Sequence, residues 1–371
     1  MRDILISTVG KSLLANINKL GNDDSLKIAK IKGNLIGLVK ELLKIEAEDK
    51  TCGAEINSIT SIIKRRNLDE RNELYLLISD TNEGEETGEI LKSYYEDSKN
   101  LYKFERVLIK KIEGLTDKDI NSFKSKGLKN LVKEIAKIIK ENGSERIIIN
   151  ATGGYKAQIS FAGLIGQALE IPVVYMFETF QDIILLPPQP ISFNIDLWFK
   201  YYEYFAKLDK EVILLSKELT SFLENKLTNV LIEEEDIDGE KYIALSPMGQ
   251  LFHETFKYRF EKEKRNYLPK KLSNKERKPP EFSEHFRHFP PISAETFVNR
   301  VWREKEYIRA IRDFDTYSDH PERTRFKMGK DGIILIYSDG TKTAKFRIEI
   351  PNANEHELKA ALIDLNESYF N

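Results

Sequence analysis

Residues 146–158 read RIIINATGGYKAQ: three isoleucines, then Asn150, then Thr152-Gly153-Gly154-Tyr155-Lys156 at the point where helical spacing takes over. The isoleucines have the make-up of a buried strand, and the glycines let backbone N–H groups come close to a ligand. A helix beginning there adds partial positive charge to the full charge of Lys156. The segment is an anion-binding position at the carboxyl edge of a sheet. Two more strands end in the same way. Ile4 to Val9 runs into Thr8-Val9-Gly10-Lys11-Ser12, and Leu74 to Ser79 runs into Ser79-Asp80-Thr81. Three polar strand ends on one edge define the crevice of an open parallel sheet. Further strands are expected at Arg106 to Ile112, Pro172 to Phe177 and Ile183 to Leu186, with helical spacing over Leu26 to Ala47, Gly88 to Ser98 and Gly127 to Glu141. The alternation of the two periods predicts an α/β fold, a doubly wound parallel sheet of Rossmann type.

At 371 residues the chain is too long for one ordinary core. Its 58 Lys+Arg and 60 Asp+Glu nearly cancel, so an anionic partner has to be met by a local patch. The single Cys52 excludes an intramolecular disulfide framework and a cysteine zinc cluster. No apolar run approaches the roughly 18 residues of a membrane span, and MRDILISTVGK holds too short an apolar stretch for a signal peptide. A cytoplasmic protein with no membrane partner is expected.

The composition breaks at LLPPQPI, and an aromatic helix (DLWFKYYEYFAKL, Asp196 to Leu208) follows, which puts the first boundary near 195. Residues 196–265 read as a connector: a helical stretch from about Lys210 to Leu227, two strands (Val230 to Glu233 and Tyr242 to Leu245) about a DIDGEK turn, and a helix opening at Ser246-Pro247. That order looks like the wing of a winged helix-turn-helix module. Residues 266–284 form a basic, proline-containing linker, and loop character continues to about 292. Residues 285–371 read as a small α+β domain, with a helix over Ser293 to Ile311, strands at Thr324 to Met328, Ile333 to Tyr337 and Ala344 to Ile350, and a closing helix over Glu355 to Tyr369.

Neither G-x-x-x-x-G-K-[ST] nor G-x-G-x-x-G occurs, so the kinase and dehydrogenase readings lose. The ordered set ISTVGKSLL, LISDT, IEGLTD…F…KGLKNLV, INATGGYKA and IPVVYMFE…IILLPPQPI resembles the CARF (CRISPR-associated Rossmann fold) family over residues 1–195. The resemblance implies a homodimer that binds a cyclic oligoadenylate made by type III CRISPR complexes. A two-fold site suits an even ring, and cyclic tetra-adenylate is the expected activator. It further implies that Gly10, Lys11, Ser12 and the loop Thr152, Gly153, Gly154, Tyr155 and Lys156 hold phosphates and riboses, with Asn150 at the base of the loop and Asp80 and Thr81 flanking the pocket. Some family members slowly cleave the ring, and Thr8, Ser12 and Lys156 could orient a ribose hydroxyl for a weak ring nuclease activity.

A sensor needs an output. No histidine has an arginine five positions before it, so the R-x(4)-H motif of HEPN ribonucleases is absent. Glu276-Arg277-Lys278 and Glu357-Leu358-Lys359 fall in the linker and the last helix, away from the strands that a metal-dependent restriction-type site needs. His285-x-x-His288 has no carboxylate at helical spacing, and no metal or cofactor is expected. What remains is a cationic sheet. Arg325 and Lys327 share one face of their strand, and so do Lys345 and Arg347, with Tyr337 between. This domain resembles the RelE family of messenger RNA interferases over about 285–371. In such chemistry a ribose 2′-hydroxyl attacks its own phosphate without metal, and cations stabilise the transition state. Lys327 or Lys345, lowered by like charges, is the expected base; Arg325 and Arg347 are phosphate clamps, Tyr337 a stacking platform or hydroxyl donor, and His320 a candidate acid. The expected function is a cyclic oligoadenylate-activated endoribonuclease that cuts messenger RNA on the ribosome. The rival is a winged-helix transcription regulator of the same ligand; no duplex DNA binding is expected.

Overall fold

In a computed structural model, which describes residues 1–177, 182–188, 194–215, 220–224, 227–288, 290–318 and 320–370, alternate side chains of each early strand enter two different cores. The strands are β1 (Ile4–Thr8), β2 (Glu73–Ser79), β3 (Arg106–Ile112), β4 (Ile147–Asn150), β5 (Val173–Met176) and β6 (Ile183–Leu186), in the order β3-β2-β1-β4-β5-β6. The first five are parallel and β6 is antiparallel to β5. Leu5, Leu74, Leu76, Ile78 and Ile148 face a core closed by the helices Ser12–Lys19, Ser25–Ile31, Leu35–Leu42, Gly53–Lys64 and Asn82–Glu96. Ile4, Ile6, Tyr75, Leu77, Ile147 and Ile149 face a second core closed by Leu128–Asn142 and Lys156–Ala168. Period-2 alternation in a sheet covered on both faces requires this sorting. The result is the expected Rossmann-like, doubly wound arrangement. Its strand order reverses between β1 and β4, which are neighbours, and β2 lies next to β1. The three polar strand ends therefore stand side by side.

Two compact units divide the chain, the first formed by Met1–Asn194 and Glu203–Tyr258, the second by Ile195–Tyr202 and Arg259–Asn371. The expected connector, 196–265, is thus shared between them. In the first unit β7 (Ile213–Leu214), β8 (Ile232–Ile237) and β9 (Glu240–Leu245) make a small antiparallel sheet in the order β7-β9-β8. The turn between β8 and β9 has Asp238 at φ 54° and Gly239 at φ 82°, the two left-handed residues that a two-residue hairpin turn needs. β7 begins inside the stretch expected to be helical, where the described helix is only Thr220–Leu223; residues 216–219 and 225–226 of that expectation lie outside the described residues, as does Pro190 of the proline run. Lysines of Leu128–Asn142 explain why this sheet belongs to the first unit. Lys129 pairs with Glu233 at 2.6 Å and Lys133 with Asp209 at 2.9 Å, while Leu251 enters the second core. The lysine-rich helix face is a docking face.

The second unit carries a four-stranded antiparallel sheet, β10 (Ala310–Ser318), β11 (Arg325–Gly329), β12 (Gly332–Ser338) and β13 (Thr343–Glu349), in the order β10-β13-β12-β11. Phe326, Ile333, Leu335, Phe346 and Ile348 pack one face against the helices Ala294–Glu304 and Glu355–Phe370. The helix expected over Ser293 to Ile311 stops at Glu304, where Lys305 turns extended (φ −104°, ψ 90°), and a fourth strand begins at Ala310. The basic linker is an ordered strap. Leu272, Lys278 and Glu281 donate backbone bonds to Glu306, Arg309 and Ile311, and the Arg277 guanidinium lies 4.4 Å from the Trp302 ring centre. Proline forbids regular structure there, and the neighbouring extended chain takes up the backbone donors. Among the described residues no helix is long and apolar enough to cross a membrane.

Candidate functional site

A cavity of about 80 Å³ opens where the ends of β1, β2 and β4 meet. Gly10 and Lys11 come from the first, Thr81 and Gly84 from the second, Gly154 and Tyr155 from the third, and Glu83 and Asp117 place carboxylates beside them. Such a volume holds a few waters or one phosphate-sized group and is too small for a nucleotide. Close backbone approach requires the glycines. A Cβ on Gly10 would stand 2.6 Å from the Gly154 nitrogen, and Gly154 sits at φ 102°. Lys11 is exposed and 3.5 Å from Asp117; Tyr155 sets its ring edge-on to Phe123 at 5.3 Å, and burial pushes its hydroxyl up. Thr81 caps the helix Asn82–Glu96 by accepting from the Gly84 N–H at 3.0 Å, and its hydroxyl is 2.9 Å from that of Ser79.

Other expected ligand residues do not line this cavity. Thr8 and Asn150 are fully buried. The Thr8 hydroxyl donates to the Gly153 carbonyl at 2.5 Å, and the Asn150 amide donates to Ser7 at 3.0 Å and Ser58 at 2.8 Å while its oxygen accepts from Thr152 at 2.6 Å. Thr152 in turn accepts from the Met176 N–H at 3.0 Å. These residues hold the loops in place. Asp80 accepts from the Gly114 N–H at 3.1 Å and pairs with Lys111 at 2.9 Å, and the two hold its carboxyl below the ordinary range. Lys156 is exposed at the start of its helix, where its charge can reach an anion above the loop.

The residue that sequence reasoning missed is Glu55. It is wholly buried beneath the loops, accepting from the Gly10 N–H at 2.6 Å and from the Ser12 hydroxyl at 3.2 Å, and Ser12 accepts from the Ala54 N–H at 2.9 Å. A Cβ on Gly153 would collide with its carboxylate. Burial pushes the Glu55 carboxyl up, against the pull of these hydrogen bonds. An acid in the first turn of a helix ordinarily marks only the helix start, so no sequence signal set Glu55 apart.

On the second unit, cross-strand register puts the expected cations on one face. Arg325, Ile336 and Lys345 form one row, and Lys327, Ile334, Arg347 and Arg312 the next. Side chains directly opposite in an antiparallel sheet share a face. Tyr337 does not belong to it. Register pairs it with Ala344 on the core face, where its ring packs 5.3 Å from Phe297 and its hydroxyl donates to the Ile292 carbonyl at 2.9 Å. Counting one residue further along β12 reverses the face, which corrects its expected role beside the four cations. Carboxylates, uncounted in the sequence reading, interleave the cations: Glu322 is 2.9 Å from Lys345, Asp331 is 3.4 Å from Arg347, and Glu349 is 3.3 Å from Arg312. The like-charge argument for a lysine base therefore lacks its premise at Lys345. His320 gives its carbonyl to the Thr343 hydroxyl at 2.9 Å, and the His285 side chain lies outside the described residues. Among the described residues no three His, Cys, Asp or Glu gather as a metal-binding group.

Comparison with known proteins places the sheet edge in context. Residues 50–189 match the family model described as CRISPR-associated protein (Cas_APE2256), a span that includes Glu55, β2 to β6 and the Thr152–Lys156 loop and leaves out β1. Among solved structures, Can2 from Sulfobacillus thermosulfidooxidans in complex with cyclic tetra-adenylate is similar at 13% identity, covering 71% of this chain and 68% of that one, with a TM-score of 0.28. No curated protein matches the sequence.

Proposed function

We propose that the chain is a CRISPR-associated effector of type III systems, a homodimeric sensor of cyclic oligoadenylate whose second unit is a RelE-like endoribonuclease. The observation that carries the sensor is the meeting of three adjacent strand ends around one small cavity, largely within the stretch that matches a CRISPR-associated family. The cavity suits one phosphate, with Lys11 and Lys156 as nearby cations and tight glycine backbone as its wall. A ring of adenylates, too large for it, would lay successive phosphates over two such edges related by a two-fold axis, with cyclic tetra-adenylate as the activator. In the second unit Arg325, Lys327, Lys345 and Arg347 offer cations for a phosphodiester, which supports a 2′-hydroxyl attack on RNA as the reaction class, with messenger RNA at the ribosome as the proposed substrate. The rival reading, a DNA-binding regulator, meets an acidic hairpin: Glu233, Glu234, Glu235, Asp236, Asp238 and Glu240 would repel duplex phosphates.

Calorimetry with cyclic tetra-adenylate tests the sensor. One ring per two chains is expected, with a Kd below about 10 µM. One ring per chain, or no binding in that range, would sink the two-fold site. Ligand added to translating ribosomes should then yield cut messenger, whereas ligand-dependent gel shifts of duplex DNA that survive competitor would favour the regulator.

A further inference from the structure

We infer that the sheet face of the second unit holds an anion seat with a built-in occupant, Glu322, whose carboxylate stands where a nucleic-acid phosphate binds. The inference rests on the reading that this face receives RNA. Its observations are separate from that reading. Arg325 and Lys345 stand in one cross-strand row two strands apart, and Lys327 and Arg347 in the next. By sheet geometry this sets four cations at the corners of a rectangle of about 10 by 7 Å. Ile334 and Ile336 make its apolar floor, and Ile336 is completely buried.

Glu322 lies in the segment just before β11, outside any helix or strand. Its backbone N–H donates to the Thr343 hydroxyl at 3.0 Å, which fixes the segment against β13. The side chain then reaches Lys345 at 2.9 Å. Lys345 dominates the electrostatics of this carboxylate, followed by Lys327 and Arg325, all three favouring its charged form. The carboxylate thus pairs directly with one of the four cations, and the charges of Lys327 and Arg325 nearby add to its stabilisation. A carboxylate and a phosphate present the same acceptor geometry to Lys and Arg, so the seat is anion-shaped and already charge-compensated. The pair is about one-third exposed on each side, which leaves the exchange of carboxylate for phosphate cheap. Asp331 stands in the same relation to the fourth corner, 3.4 Å from Arg347 and 71% exposed.

The occupant makes a specific demand on its ligand. A single phosphate has to displace Glu322 unaided to reach Lys345, whereas a chain of phosphates can settle one phosphate at Lys327, outside the Glu322–Lys345 pair, and displace the carboxylate as a later step. The favoured ligand class is therefore a polyanionic single strand over a free phosphate or a mononucleotide.

The test uses the full chain and an RNA oligonucleotide with 2′-O-methyl riboses, which cannot undergo 2′-hydroxyl attack, so that binding is read without cleavage. Glu322→Gln removes the charge and keeps the shape. It should tighten binding roughly three- to tenfold at moderate salt and steepen the fall of affinity with salt, because one more cation is left for phosphate. Lys327→Ala should weaken binding in both backgrounds. If Lys327→Ala weakens binding but Glu322→Gln and Glu322→Ala both leave the affinity unchanged, the face receives RNA and Glu322 is not its occupant. If neither the wild type nor Glu322→Gln binds the oligonucleotide, the seat and the RNA reading fall together. Inorganic phosphate competing as well as the oligonucleotide, charge for charge, would overturn the preference for a strand.

Discussion

Glu55 shows how much of the N-terminal site depends on one side chain that a ligand never meets. Its carboxylate takes the Gly10 N–H and the Ser12 hydroxyl, and with them the position of the β1 loop against Gly154. Glu55→Ala would leave a buried donor unpaired and a cavity behind, at a cost of about 2 to 4 kcal/mol in stability. Glu55→Gln keeps an acceptor and should lose much less. Because burial raises the carboxyl in the fold, the folded chain holds that proton more tightly than the unfolded one, and stability falls as pH rises from about 4.5 toward the folded value. Glu55→Gln should remove that part of the slope in thermal melts across the interval, and an unchanged slope would show that Glu55 does not titrate there. Glycines and terminal lysines were legible in the sequence because their chemistry is local. Glu55 was not, since its burial depends on Gly10 and Gly153, distant in sequence, coming over it. Tyr337 misled for a related reason: its position among cations in the sequence hides the pleat that turns it to the other face.

At the scale of elements, the helix Leu128–Asn142 shows one face to the sheet and another to the small sheet β7-β9-β8, and a buried polar network lies at that second contact. Asp209 accepts from Gln250 at 2.8 Å and pairs with Lys133 at 2.9 Å and Lys257 at 3.6 Å, with His253 at 4.0 Å and Glu254 hydrogen-bonded to the same Gln250. Burial pushes the Asp209 carboxyl up, but His253, Lys133 and Gln250 outweigh it and hold it well below the usual range. Burial lowers His253 to about 3, Asp209 pulling the other way and Lys257, Lys133 and Lys210 adding to the fall. A histidine held neutral in the fold is protonated first in the unfolded chain. Its contribution is therefore whole above about 6.5 and is lost as pH falls below that, by about 1.4 kcal/mol per pH unit until its folded value is reached. His253→Gln should flatten the melting temperature against pH between 6.5 and 5 relative to wild type. The difference between the two proteins isolates the histidine, because Glu254 and Glu55, both raised, act in the opposite sense in each. Parallel curves would place the titration elsewhere. Strands β1 to β6 were legible because apolar runs bounded by polar ends admit few alternatives. The strand β10 was not, since its first two residues, Ala310 and Ile311, fell at the end of the expected helix and the rest was left unassigned, and its pairing with β13 is broken by a shift between Asp313 and Tyr317.

At the scale of the whole molecule, the proposed division into a sensor in one unit and a nuclease in the other predicts that the two activities are separable by mutation. Arg347 belongs to the second unit, so Arg347→Ala should leave the affinity for cyclic tetra-adenylate unchanged while lowering the cleavage rate about a hundredfold, as expected when a transition-state clamp is lost. A loss below about threefold would return Arg347 to an ordinary surface pair with Asp331. The chemistry of the cut decides the class of nuclease. When a 2′-oxygen attacks its own phosphorus, its proton passes to a base and the 5′-oxygen leaves with a proton. The products are then a 2′,3′-cyclic phosphate, which a water can afterwards open to a 3′-phosphate, and a 5′-hydroxyl. Water activated by a metal commonly leaves a 5′-phosphate instead. Ribosomes themselves need magnesium, so cleavage has to be compared with magnesium and with cobalt hexammine plus spermidine supporting them, and the ends mapped in both. Equal rates and 5′-hydroxyl ends are expected, because Arg325, Lys327, Lys345 and Arg347 supply the charge that an ion would otherwise bring. Finding 5′-phosphates, or a rate that collapses only when magnesium is replaced, would remove the RelE-like reaction and leave the cationic rows as a binding surface, a case in which the Glu322 measurement still reads.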